Sequence, residues 1–592
     1  MTAPLTASLT PSTTAWHRLR ASHAGPLALI SAVALFLFRG ILSDVGFDNH
    51  ELLLLYVRVQ QYAVELATGH FPPRVFPDAL AGGGAAFPFF SPPLAYWVSA
   101  LLGLSLGDLV LGVNASFVLA VLLSGLALYG MGVALTGRRW LAMMCALFYI
   151  SLPYRLLNVL VLGALAESWT FVWYPLVLTG AWWTATRGRL SWLLPVSVAA
   201  LLLTHTVLAL YFCCLCALLL AACRSWLGWR GVGRVVAGAL LGAAMTLWHY
   251  LPVLLSLDEV WAGLPDAVWG APDFVHVHRV LPWQWFDQDP NRWTGISSPN
   301  QFDSMCFALG AGQWLALVLA VGAYAVVARR GLAEGDARLS SLAKVLVALW
   351  LGCLVFMMAP LPFLLVLPRA FGYIQFPWRL QGVTLFLALA ATGLFLARLP
   401  ILPRLGRVLA GAAVVLALAT PPFEQRTDLI TEWNDAILTP GLLLRGGALG
   451  YTRLGEFLPR THAARAWLPR VLHLPLPDAH VQVLDASREG SRWRARVDAP
   501  EGGTLVLPLV AYDFYRASRD GDGARALETF SEDGLLGVRL APGSYTLTVE
   551  PGSSPPQWLG FGLGVAALGG VLFLSRGRRR VSAPEPLFAS GA

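Results

Sequence analysis

Apolar runs of about 20 residues, long enough to cross a bilayer, recur along this chain and dominate its pattern. The first, 25–42 (GPLALISAVALFLFRGIL), follows a polar and basic stretch. No small-residue cleavage site comes after it, so it reads as an anchor and not as a signal peptide. Further spans are predicted near 110–136, 139–153, 168–185, 235–256, 306–328, 343–358, 380–397, 406–421 and 557–575. Segment 191–222 has arginines on both flanks (Arg187 and Arg189; Arg224, Arg230 and Arg234), so only an even number of crossings fits. Two short helices turning around His205 are predicted there, each about 24 Å long and below the ~30 Å hydrocarbon core. His205 then lies at the floor of a recess.

Between these runs the periodicity changes. Residues 51–68 carry Arg58 and Glu65 among apolar positions, which suits a helix lying at the membrane interface. Residues 70–97 (HFPPRVFPDALAGGGAAFPFFSPPLAYW) are too rich in Pro and Gly for a regular element. In RWRARVDA, TLVLPLVAY and GSYTLTVE apolar and polar residues alternate, with Gly- and Asp-containing turns between, which predicts β-strands. The fold class expected is a polytopic α-helical membrane protein of about 12 transmembrane helices with a small extracytoplasmic β domain near its C-terminus. The segments are a cytoplasmic N-terminal segment 1–24, a transmembrane domain 25–421 with outer loops 43–92 and 257–305, the β domain 422–556, a final span 557–575 and a cytoplasmic basic tail 576–592.

Composition supports this class: 56% of the 592 residues are hydrophobic and 13% are charged, about half the charge of a soluble domain. That excludes a soluble enzyme, a disordered chain and a disulfide-framed secreted protein. The segments assigned to the inside hold 20 basic and three acidic residues, and the remainder holds 22 basic and 31 acidic. Such asymmetry is the positive-inside rule. The net charge of +8 therefore reports topology, and no basic stripe calls for nucleic acid. The seven cysteines lie in or beside apolar runs, so no disulfide is expected.

Several clusters carry chemistry. Asp48 and Glu51 in Phe47-Asp48-Asn49-His50-Glu51 are two carboxylates at the lip of the bilayer. They form a capping box if Asp48 is the N-cap and Glu51 the third helical residue. Arg74 lies in a stiff Pro-flanked segment beside three consecutive glycines, where a ligand can approach backbone closely. Tyr154 and Arg155 precede GALAES, whose Glu167 opens a span and complements the helix dipole. Arg379 follows Gln375 in YIQFPWR and heads a span on the side where arginine is disfavoured, which invites an anionic partner.

In order along the chain, FDNHE, GHFPPRVFPDALAGGGAAFPFFSPPLAYW, LNVLVLGALAESW, LLLTHTVLALY, YIQFPWRL and GEFLP resemble bacterial membrane proteins described as 6-pyruvoyl-tetrahydropterin-synthase-related. Those proteins are similar in turn to the GT-C superfamily of membrane glycosyltransferases. The resemblance implies a GT-C-like fold and a sugar taken from a polyprenyl-phosphate carrier to an envelope glycan, lipid or protein acceptor. This reaction belongs on the outer face of the bacterial cytoplasmic membrane, with both termini cytoplasmic. It implies Asp48 as base or orienter with Glu51 as its partner, and Arg379, Arg74 and His205 as binders of the donor phosphate. His50, Arg58, Tyr154, Arg155, Glu167 and Gln375 then line the pocket. The pterin-synthase name carries no chemistry here, because His276-Val-His278 has no cysteine in loop 257–305 to complete a catalytic zinc site. No cofactor is called for, and a divalent cation is compatible with the carboxylates. A transporter or lipid flippase, and a non-catalytic scaffold binding envelope glycans or proteins, are the alternative classes.

Overall fold

The computed structural model describes residues 12–47, 49–80, 82–261, 272–287, 297, 305–330, 334–399, 411–412, 458–459, 476–478, 480–520 and 525–576. The first helices are α1 (Ser12–Leu37), α2 (Leu52–Ala67), α3 (Leu94–Leu106) and α4 (Leu109–Thr136). α4 is uniformly apolar apart from Asn114 and a few hydroxyls, and it starts where Asp108 accepts the Leu111 N–H at 2.7 Å. Buried along most of its length, α4 packs against α3, α5 (Arg139–Ser151) and α6 (Leu165–Thr186). The pair α7 (Leu193–Leu202) and α8 (Thr206–Ala222) breaks at Leu203–His205, where the sequence placed its turn. Then follow α9 (Arg224–Ala244), α10 (Leu247–Ser256), α11 (Gly310–Arg330), α12 (Glu334–Met358) and α13 (Gln381–Leu396), the last packed on α11, α12 and α5.

The chain is a multi-pass helical membrane protein, but the count of about 12 spans is not reached. Among the described residues four helices are long and apolar enough to cross a bilayer, or six if each of two bent pairs is one span. The reason is that several predicted spans are broken. Arg139–Ser151 and Pro153–Val161 meet at 51°, and Arg224–Ala244 meets Leu247–Glu259 at 69°. The apolar part of α1 is only His23–Leu37, about 22 Å of helix. The predicted span 406–421 lies outside the described residues except for 411–412.

The C-terminal region holds two antiparallel sheets. Strands β1 (Leu476–Pro477), β4 (Gly503–Val510), β8 (Leu535–Leu540) and β7 (Thr529–Glu532) form one, in that order. The other runs β2 (Gln482–Glu489), β3 (Arg492–Ala499), β9 (Gly543–Pro551), β5 (Tyr515–Arg519) and β6 (Arg525–Leu527). In β3, Trp493, Ala495, Val497 and Ala499 are buried while Arg494 and Arg496 are exposed. This is the alternation that predicted the strand. α14 (Pro555–Ser575) leaves the β domain and packs on α10 and α9.

The two parts are joined through α2 and the loop after it. The β2–β3 hairpin turns at Gly490-Ser491, with Gly490 at φ +56°, and its tip meets the end of α2. Glu65, 1% exposed, accepts the Ser491 N–H at 2.7 Å and the Ser491 hydroxyl at 2.6 Å. A side chain at Gly490 would collide with Glu65 and Thr68. Arg488 donates to the carbonyls of Gly82 and Pro77 at 2.6 and 2.7 Å, and the Val510 N–H donates to Gly83 O at 2.7 Å. α2 is thus covered on both faces, with Gln61 and Tyr62 fully buried. The expectation of a helix lying on the membrane interface meets a helix that is covered: Arg58 packs on Glu51 and Phe87, and Glu65 meets Ser491 brought from far along the chain.

Candidate functional site

A cavity of about 330 Å³ opens between α2, the 87–92 segment, the start of α6, the α7–α8 turn and the segment before α13. Its polar wall is Glu51, Arg58, Glu167, His205, Gln375 and Arg379, and its apolar wall includes Phe87, Phe90 and Tyr96.

Most of these polar groups sit at helix starts or in irregular backbone, while Arg58 lies inside α2. Glu51 is the N-cap residue of α2, in αR conformation and without a side-chain cap. Its carboxylate instead accepts from Arg58 Nη1 at 3.2 Å. The expected capping box is therefore corrected: the helix starts at Leu52, so Glu51 is not its third residue. Arg58 also stacks its guanidinium 4.5 Å from the Phe87 ring. His205 is the N-cap of α8, its Nδ1 accepting the Leu208 N–H at 3.4 Å. Arg379 lies in a 3₁₀ turn, Pro377–Leu380, and donates through Nη1 to Gln375 Oε1 at 3.0 Å and Ile374 O at 3.3 Å. Gln375 itself adopts φ +62°, a backbone state that non-glycine residues adopt only when their surroundings impose it.

Glu167 stands in the first turn of α6 and is buried. The Tyr154 hydroxyl donates to its Oε1 at 2.5 Å. Behind it, Arg155 is fully buried, donates to Ser168 O at 3.1 Å and lies over Phe171 at 4.3 Å. The chain reaches this arrangement through Pro153–Leu156, a π-helical turn Leu157–Val161 and Gly163 at φ +63°.

The FDNHE loop is strapped to that same break. The His50 N–H donates to Val161 O at 2.8 Å, and the Asn49 side chain fills the space a Cβ on Gly163 would need. Upstream, Tyr56 receives the Phe47 N–H at 3.2 Å and donates to Asn114 Oδ1 at 2.9 Å. Asn114 in turn donates to Ser43 O and Val45 O at 2.9 and 3.0 Å. Asp48 lies outside the described residues, though both its neighbours are held.

Of the sequence-derived site residues, Glu51, Arg58, Glu167, His205, Gln375 and Arg379 share the cavity wall, while Tyr154 and Arg155 stand directly behind it. His50 is not among the lining residues. Arg74 is elsewhere: it donates to Gly552 O, and to Ser553 Oγ at 3.2 Å, at the junction of the β domain and α14. Burial there, with the Arg516 charge nearby, lowers its pKa to about 10. The residues missed from sequence are Tyr96, Thr204 and Asn114. Only Asn114, a lone carboxamide in an apolar span, carried a signal. Among the described residues no group of three or more His, Cys, Asp or Glu side chains is placed to hold a metal ion.

What fold and site define is a multi-pass helical membrane protein with a two-sheet domain docked on it and a polar cavity walled by its helical part. No family model matches the chain, and no curated protein matches it; the pterin-synthase-related label accordingly finds no match. Among solved structures, the chain is similar to an oligosaccharyltransferase from Archaeoglobus fulgidus at 12% identity and TM-score 0.39, over 68% of this chain and 55% of that one. It is similar to the arabinofuranosyltransferase AftD from Mycobacteria at 15% identity and TM-score 0.42, over 89% of this chain and 40% of that one. A third is ArnT from Cupriavidus metallidurans bound to undecaprenyl phosphate, at 16% identity and TM-score 0.26, over 68% of this chain and 78% of that one. Likeness at this level assigns no activity.

Proposed function

We propose that this chain is a membrane glycosyltransferase of GT-C type. It moves a sugar from a polyprenyl-phosphate carrier to an envelope acceptor on the outer face of the bacterial cytoplasmic membrane. One observation carries the reading. The motifs on which the sequence resemblance rests are far apart in the chain, yet FDNHE, FPFFSPP, GALAES, LLLTHT and YIQFPWR each contribute to the wall of one cavity. Those segments have no reason to meet if each only ends or caps its own helix.

In this reading the carrier phosphate lies against Arg379, whose guanidinium Gln375 holds in place and whose fork geometry suits phosphate oxygens. His205 stands beside it as a second polar contact. As the acceptor oxygen bonds to the anomeric carbon, the sugar–phosphate bond breaks and the leaving phosphate gains charge, which the arginine stabilises. Asp48 deprotonates or orients the acceptor hydroxyl, and Glu51, tied to Arg58, shapes the same loop. Arg74 drops out of the donor set, because its guanidinium is engaged with Gly552 and Ser553.

The test is Asp48→Asn, which keeps the shape and removes the charge. Turnover should fall by on the order of 10²–10⁴, the range for general-base catalysis, and lipid-linked sugar should build up in cells to the level expected of a deletion strain. Full transfer by well-folded Asp48→Asn protein overturns the role of Asp48.

A further inference from the structure

The wall carries a second carboxylate whose setting differs from that of Glu51. Glu51 is one-third exposed and paired to Arg58 at 3.2 Å. Glu167 is 3% exposed and, among the described residues, makes no ion pair within 4 Å, although it lines the cavity and feels the charges of Arg379 and Arg155. A buried carboxylate on a cavity wall, with no cation in contact, is a group that a substrate can engage without first breaking a salt bridge.

The backbone is bent to produce this arrangement. Tyr154 and Glu167 are 13 residues apart; in a continuous helix they would be about 20 Å apart along the axis. The π-helical turn Leu157–Val161 and the left-handed Gly163, both between the two residues, fold the chain back instead, so that the phenol reaches Oε1 at 2.5 Å. π-helical turns are concentrated at functional sites because they cost regular hydrogen bonds. The clamp continues behind: Ser168 Oγ donates to Asn158 Oδ1 at 2.5 Å, and Arg155 donates to Ser168 O. Arg155 Nε and Nη2, and Asn158 Nδ2, are buried and, among the described residues, without hydrogen-bond partners. The cluster thus leaves its own donors unsatisfied while holding Glu167 in one orientation.

We propose that Glu167 is a catalytic residue that takes up the acceptor's proton, with Tyr154 and Arg155 as its positioning residues. This rests on the glycosyl-transfer reading above and leaves Asp48 the orienting part. The acceptor oxygen forms its bond to the anomeric carbon, and the bond from that carbon to the phosphate oxygen breaks. The electron pair departs with polyprenyl phosphate at Arg379. The hydroxyl proton passes to Glu167 and from there to water in the cavity.

The experiment compares a deletion strain carrying wild-type, Glu167→Gln or Tyr154→Phe protein. Lipid extracts and the lipids that co-purify with each detergent-solubilised protein are read by mass spectrometry. Glutamine still accepts from Tyr154 but takes no proton. Expected for Glu167→Gln are an unchanged unfolding temperature, sugar-linked carrier built up to the deletion level, and protein carrying that donor where wild type carries spent polyprenyl phosphate. Turnover should drop by about 10²–10⁴. Tyr154→Phe should lower kcat with KM for the donor unchanged. If glutamine prevents folding, Glu167→Asp keeps the charge but withdraws it, and must lose turnover in folded protein. A normal lipid profile in Glu167→Gln cells overturns the proposal, as does a variant that loses its donor lipid. If the deletion leaves lipid-linked sugars unchanged and wild type holds no polyprenyl lipid, the glycosyl-transfer reading falls and takes this one with it.

Discussion

Gly163→Ala tests the strap that carries the FDNHE loop. A Cβ at this position would meet Asn49 Oδ1 at 2.1 Å and Cγ at 2.4 Å. Two penalties follow. Alanine at φ +63° costs about 1–2 kcal/mol, and forcing Asn49 aside costs about 1–3 kcal/mol as an overpacked contact. Gly188 is the internal control, since it has φ +71° with nothing among the described residues within 4 Å of its Cβ position. Gly188→Ala should therefore lose only the first amount, and Gly163→Ala about 1–3 kcal/mol more. Most of the excess should vanish in a double-mutant cycle with Asn49→Ala, which removes the two closest atoms, Oδ1 and Cγ. Thermal unfolding of the purified variants reads the stability difference. A transfer assay reads the second consequence, loss of turnover in Gly163→Ala beyond that in Gly188→Ala, because Asn49 adjoins Asp48 and Glu51 follows two residues later. Equal destabilisation by the two alanines, or an Asn49→Ala change that does not relieve Gly163→Ala, refutes the strap.

Glu65→Ala leaves the Ser491 N–H and hydroxyl without acceptors. At about 1–3 kcal/mol per buried unsatisfied group, it should loosen the β2–β3 hairpin, seen as faster hydrogen exchange in 488–493 than in β4. Arg379→Ala should weaken binding of undecaprenyl phosphate at least tenfold, with Arg379→Lys recovering part of the loss; Arg74→Ala should leave binding intact and lower the unfolding temperature. Equal loss of binding in both alanine variants would reject the assignment to Arg379. For topology, cysteines at exposed positions 480 and 338 should react with an impermeant reagent from opposite sides, 480 from outside and 338 only after permeabilisation.

What was legible in the sequence was what local pattern encodes. The arginines flanking 191–222 required an even number of crossings, which placed the turn at His205 where the chain breaks. The period-two alternation of RWRARVDA gave β3 its bounds. Pro153 marked the end of α5, but nothing in LNVLV distinguishes a π-helical turn from an α-helical one. Arg74 and Glu65 show the limit most clearly. Arg74 looked like a binder of the donor phosphate and Glu65 like a polar residue at the membrane interface, and each is explained by partners more than 400 residues away. Arg379 was legible for the opposite reason: its charge contradicts a topological rule, and a contradiction is visible without knowing the partner.

The docking of the β domain also sets an order of events. Residues 65–92 lay down α2's end and one cavity wall, but the groups that hold them, from Arg488 to Ser553, are made 406 to 479 positions later. At about 5–20 residues per second that interval is on the order of 20–100 s. Throughout it Glu65 has a carboxylate facing a surface that does not yet exist, and the segment carrying Phe87 and Phe90 lacks its support. A nascent chain that already holds every cavity side chain from Glu51 to Arg379 is therefore still without a finished site. The last fifth of the protein completes these contacts, so premature termination before β2 should yield a membrane bundle whose cavity wall lacks its support.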